Sequence, residues 1–85
     1  MVEVVFTSAA RDQAAELPRT VMGRVGRLLE RLRQWPAVSG AKPLTGKLAG
    51  RFRLRTGDYR VQFRVEGETV IVEKIGHRDR FYGDK

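Results

Sequence analysis

The chain has no cysteine and only one histidine. Disulfides and thiolate metal sites are excluded, and a zinc centre has too few ligands to draw on. No run approaches the ~20 apolar residues that a membrane span needs. The N-terminal M-V-E-V-V-F has neither a basic leader nor a long apolar stretch, which argues against a secretory signal. The expected setting is the cytoplasm, away from membranes. Lysine is scarce too. Only Lys42, Lys47, Lys74 and Lys85 are lysines, so thirteen of the seventeen basic residues are arginine. Set against ten Asp and Glu, they give a net charge of +7 and a pI near 10.8. That excess bears on partners rather than fold: nucleic acid, an anionic surface or an acidic protein. Arginine grips phosphate bidentately and stacks on bases, which lysine cannot do.

What is present is enough for one small domain. The 85 residues, 41 % of them hydrophobic, support a single modest core spanning 1–85. The most informative stretch is G-R-F-R-L-R-T-G-D-Y-R-V-Q-F-R, Gly50 to Arg64. Arginine alternates there with large apolar residues in two runs joined by a Thr-Gly-Asp turn. Period-two alternation marks strands with one buried and one open face. Phe52, Leu54, Tyr59, Val61 and Phe63 are expected inward. Arg51, Arg53, Arg60 and Arg64 are expected together on the open face. A turn of that width sets Leu54 opposite Tyr59, Phe52 opposite Val61, and Arg53 opposite Arg60. Like charges directly across a strand pair are destabilising. A chain that carries such a pair is holding the face ready for an anion, and phosphate is the obvious one.

The remaining elements follow from periodicity and punctuation. Val2 to Phe6 reads as a strand, and Thr7 or Ser8 as the cap of a short helix over Ala9–Leu17. Pro18 opens a second helix running to about Trp35. Val21, Val25, Leu28, Leu32 and Trp35 form its buried stripe. Gly23 and Gly26 weaken that helix, and close packing would explain them. Arg24, Arg27 and Arg31 lie along its polar side, where a solvated surface is the expected role. A Pro- and Gly-containing loop covers residues 37–49. A fourth strand, Thr69–Ile75, follows the Gly67-Glu68 hairpin turn. Its Val70-Ile71-Val72 run suggests a central position. The expected fold is α+β in the order β-α-α-β-β-β, an antiparallel sheet with both helices on one face.

Continuing the hairpin register pairs Ile75 with Arg60 and brings His77 out on the arginine side. A histidine there could move protons near neutral pH. Tyr82 could stack on a base or take part in proton transfer. Glu73 falls on the same face, placed to neutralise part of the arginine cluster. Such a set suits attack of a ribose 2′-hydroxyl on the adjacent phosphodiester. Fixed guanidinium groups stabilise the charge that builds on phosphorus, a base takes the 2′ proton, and an acid protonates the leaving 5′ oxygen. That reaction requires no metal and no cofactor.

K-P-L-T-G-K-L-A-G-R-F-R-L-R-T-G-D-Y-R-V-Q-F at 42–63 and I-G-H-R-D-R-F-Y at 75–82 resemble the RelE/ParE superfamily of toxins from type II toxin–antitoxin systems. The closing G-H-R-x-x-x-Y resembles its RelE branch. The resemblance implies a ribosome-dependent mRNA endonuclease that cuts codons in the ribosomal A site. Its basic residues and closing tyrosine fall on Arg51, Arg53, Arg60, Arg78 and Tyr82; the expected catalytic set is Arg53, Arg60, Arg78 and Tyr82, with His77, from its own position, as a further proton carrier. Arg51, with Arg55, Arg64 and Lys47 beside it in the chain's basic set, is expected to hold the RNA phosphates. Tyr82 would be the general base. The second-strand basic residues are lysines in the best-known branch. The arginines here stay protonated, which suits phosphate stabilisation rather than proton donation. The resemblance also implies a cognate antitoxin with an acidic or amphipathic segment, and contact with DNA only through it. Two other readings stay open: a ParE-like DNA gyrase inhibitor, and a basic RNA- or ribosome-binding module without catalysis.

Overall fold

In the computed structural model, which describes residues 2–81, the chain opens with strand β1 (Glu3–Phe6). Thr7 then caps helix α1 (Ser8–Ala15), its hydroxyl accepting the Ala10 N–H at 3.1 Å. This satisfies one of the donors that a helix start leaves unpaired. Helix α2 (Arg19–Leu32) starts just after Pro18, whose carbonyl accepts the N–H groups of Val21 and Met22. Val25, Leu28 and Leu32 are buried, with Val21 and Trp35 packed beside them. The helix ends one turn short of Trp35, and residues 33–36 continue as a turn. The expected loop contains a two-residue strand, β2 (Lys42–Pro43), and a 3-10 turn, Gly46–Leu48. Strands β3 (Arg51–Thr56), β4 (Tyr59–Glu66) and β5 (Thr69–His77) follow, then a short helix α3 (Arg78–Phe81).

The five strands form one sheet in the order β1-β5-β4-β3-β2. The α+β class and the helices on one face are as expected. The sheet is mixed, because β1 lies parallel to β5 while all other pairs are antiparallel. That placement makes β5 an inner strand, which its Val70-Ile71-Val72 run requires. The core joins Ala10 of α1 and the α2 stripe to Leu54, Val61, Phe63, Val70, Val72 and Ile75. Trp35 meets Phe52 and Phe63 edge-on, with ring centroids 4.8 and 5.3 Å away, and this closes one end of the core. Gly23 and Gly26 do not serve close helix packing. Both are exposed, and nothing lies within 4 Å of the position a Cβ would take at Gly26.

Two registers differ from expectation, each for a local reason. The β3–β4 turn is only two residues long, with Gly57 at φ +58° followed by Asp58 at a negative φ. Glycine at the first central position lets paired strands run up to such a turn. Thr56 therefore faces Tyr59, Leu54 faces Val61, and Phe52 faces Phe63. The shift of two residues leaves every side chain on its expected face. Between β4 and β5 the correction is larger. Phe63 pairs with Val72, but Gln62 pairs with Lys74, so Glu73 is an extra residue in a bulge. One inserted residue reverses the facing of everything beyond it. Ile75 pairs with Val61 and is buried, Gly76 rather than Ile75 stands opposite Arg60, and His77 pairs with Tyr59. Among the described residues no helix is long and apolar enough to cross a membrane.

Candidate functional site

The open face of β3 and β4 carries the arginines that alternation places there. Arg53 stands opposite Gln62, not Arg60. The corrected register instead creates two like-charged pairs, Arg51 with Arg64 and Arg55 with Arg60. The first pair is compensated. The Glu73 carboxylate accepts from Arg51 Nε at 2.7 Å, from Arg64 Nη1 at 2.5 Å and from Gln62 Nε2 at 3.2 Å. The bulge turns this side chain, 13 % exposed, onto the arginines. Burial pushes the Glu73 carboxyl up, but hydrogen bonds from Arg51, Gln62 and Arg64 outweigh it and hold the group below the usual carboxylate range. Arg64 also donates to Glu66 at 3.0 Å. That bond, then the one to Glu73, raises its already high pKa. Glu73 thus does neutralise part of the cluster, as its place in the sequence suggested.

The second pair has no such partner. Arg60 donates to the Gly57 carbonyl at 3.3 Å. Among the described residues neither Arg55 nor Arg60 makes an ion pair with a carboxylate. Two arginines paired across the strands with no such carboxylate on either leave positive charge available to an anion.

His77 is not on this face. The bulge turns it to the helix side of the sheet, where its ring stands edge-on to Tyr59 at 5.2 Å. Its Nδ1 accepts the Asp79 N–H at 3.1 Å, which leaves the proton on Nε2, 4.0 Å from Asp58. Arg78 starts α3 beside it. Its N–H donates to the Asp58 carbonyl at 2.7 Å, and its Nε lies 3.8 Å from carboxylate oxygens of both Asp58 and Asp79. The β3–β4 turn thereby anchors the chain leaving β5, next to the Arg55–Arg60 end of the face. Lys47 is exposed on the 3-10 turn and makes no hydrogen bond or ion pair among the described residues. Tyr82 lies outside the described residues.

The helix arginines set aside as ordinary surface prove to have company. Arg24, Arg27 and Arg31 share a cavity of about 290 Å³ with Leu28 on α2 and with Arg55 and Thr56 on β3. Among the described residues β2 pairs with Phe52 and Arg53, and beyond it Arg55 and Thr56 line the cavity with α2. The i, i+3, i+7 spacing was visible in the chain. The facing wall was not.

A family model described as the ParE toxin of type II toxin–antitoxin systems, parDE, matches residues 4–82. The chain belongs to the RelE/ParE family. It is a toxin of the type II toxin–antitoxin class. The toxin is 35 % identical over 82 residues to Toxin RelG of Mycobacterium tuberculosis (strain ATCC 25618 / H37Rv), covering 93 % of each chain. Its fold is similar to the toxin–antitoxin complex RelBE2 from the same species, with a TM-score of 0.79 and 32 % identity over 91 % of both chains. The isolated RelE toxin of E. coli superposes with a TM-score of 0.77 at 17 % identity, over 91 % of this chain and 84 % of that one. At that identity the likeness speaks for the fold alone.

Proposed function

We propose that this toxin is a metal-independent endoribonuclease that cuts mRNA on the ribosome by 2′-hydroxyl attack. The observation that carries the reading is the Arg55–Arg60 cross-strand pair, with no carboxylate partner among the described residues, near the turn that Arg78 joins. In the reaction the 2′ oxygen bonds to phosphorus as the bond to the 5′ oxygen breaks. The products are a 2′,3′-cyclic phosphate and a 5′-hydroxyl, the leaving oxygen taking its proton from water while the base carries the 2′ proton. Arg53, Arg60 and Arg78 are assigned to the charge that develops on the phosphoryl oxygens. Arg51, Arg55 and Arg64 are assigned to flanking phosphates, with Arg51 and Arg64 moderated by Glu73. The general base is assigned to Tyr82. His77, turned towards Tyr59, is assigned to holding the Asp58–Arg78 junction rather than to proton transfer.

Primer extension on a message in a purified translation reaction tests this. Cuts within A-site codons only when ribosomes are present are expected. An intact message would overturn the reading. The matched family model bears the ParE name, which favours a second reading, inhibition of DNA gyrase without nuclease activity. A supercoiling assay separates the two. The partner proposed in the cell is a cognate antitoxin, as the RelBE2 complex has. The +7 charge suits an acidic segment on that partner.

A further inference from the structure

We propose that the cavity between α2 and β3 is a second phosphate site, which grips RNA backbone away from the bond that is cut. This rests on the RNA-cleaving reading above. Four arginines line the cavity, Arg24, Arg27 and Arg31 from the helix and Arg55 from the strand. Seven residues of helix span roughly 10 Å, so the three helix arginines form a row rather than a point. Among the described residues none of the four has a carboxylate partner. Arg31 is instead aimed by neutral oxygens, the carbonyl of Ser39 at 2.6 Å and its hydroxyl at 3.5 Å. Four like charges around one hollow repel one another, and an anion there removes that cost.

Two glycines border the row, and only Gly57 stands tightly against it. The guanidinium of Arg27 lies 3.8 Å from where a Cβ would stand at Gly23, and that of Arg24 lies 3.2 Å from the same point at Gly57. Arg55 joins the two regions, since it pairs with Arg60 on the open face and also lines the cavity. A single RNA strand can therefore run from one to the other.

The lining favours RNA over an acidic peptide. Besides the arginines it offers Thr56 and Leu28, and Leu28 is only 3 % exposed. A peptide gains most of its affinity from side chains buried in apolar pockets, and none is formed here. Phosphates need only the guanidinium forks.

The test is titration of a fluorescently labelled 12-nucleotide single-stranded RNA, with 2′-O-methyl riboses that prevent cleavage, at several salt concentrations. The chain is compared with Arg24→Gln/Arg27→Gln and with Arg11→Gln/Arg19→Gln, which removes the same charge outside the cavity. All four positions are exposed, so folding is kept. The cavity variant is expected to bind ~10-fold more weakly, with a salt slope lower by about 1.4. The control is expected to change by about 2-fold or less, and Arg24→Lys/Arg27→Lys to recover only part of the loss. Equal effects of the cavity variant and the control would overturn the proposal. So would unchanged RNA binding with weakened binding of the purified antitoxin, since the cavity would then hold protein. Absence of RNA binding by the unaltered chain would sink it as well. Failure of the cleavage reading is seen separately, by primer extension, and leaves this comparison intact.

Discussion

On the open face of the sheet, Arg51 and Arg64 share one carboxylate, Glu73, which also takes a hydrogen bond from Gln62. Between α2 and the edge of β3, Arg24, Arg27, Arg31 and Arg55 surround a cavity with no carboxylate among the described residues. The residue type is the same in both places and the surroundings are opposite. A compensated pair contributes to the fold and holds its geometry without a ligand. An uncompensated cluster contributes nothing to the fold and gains only when an anion arrives. Arginine content alone therefore does not mark a binding site. The location of the acidic partners does.

The largest effect expected concerns the uncompensated part of the face. Arg60→Ala should lower ribosome-dependent cleavage by about 10²- to 10³-fold, the usual loss on removing one fixed donor to transition-state charge. Thermal unfolding should barely change, because among the described residues Arg60 is held only by the Gly57 carbonyl. A comparable loss of stability would place Arg60 with the structural group. Glu73→Gln is the opposite case. It should destabilise the fold by about 1–3 kcal/mol, since it weakens two charged hydrogen bonds and leaves the Arg51–Arg64 pair opposed. Denaturant unfolding measures it, and a neutral result would dissolve the contrast between the regions.

Gly57→Ala should cost about 1–2 kcal/mol, because φ +58° is a left-handed conformation and the new methyl would press on Arg24. Acid adds a smaller, graded effect. The Glu73 carboxyl lies below its ordinary value of 4.5 in the fold, so its contribution is fully present above that pH. It is lost as pH falls through the folded-state value. Melting curves taken downward from pH 6 should fall more steeply for the unaltered chain than for Glu73→Gln, and parallel curves would contradict the assignment. The smallest change is expected at the cavity. Arg24→Gln/Arg27→Gln should shift stability by no more than about 0.5 kcal/mol, as exposed substitutions usually do. A marked loss would show that these arginines support the fold.

Much of this was legible in the chain. The α2 stripe, the Thr7 cap and the two hairpins follow from spacing over a few residues, and each formed where its pattern lay. The inward and outward faces of β3 and β4 held even though their register moved by two, because such a shift preserves facing. The membership of the RelE/ParE family was legible in 42–63 and 75–82. The placement of His77 was legible only in part. It turned on one extra residue at Glu73, which the V-E-K-I break in alternation before Ile75 signals but the expected register overrode. Burial of Ile75 decides it, since only the flipped register sends that side chain into the core.

By itself the sequence determined which residues are buried, which arginines share a strand face and which superfamily the chain resembles. Alternation, capping and turn chemistry are local, and a short window of residues carries them. Which charges meet emerges on folding. Glu73 lies nine residues from Arg64 and twenty-two from Arg51, and the α2 arginines face Arg55 across the edge of the sheet. Charge compensation depends on distances of a few ångströms between segments far apart in the chain, and packing of the sheet against its helices sets those distances.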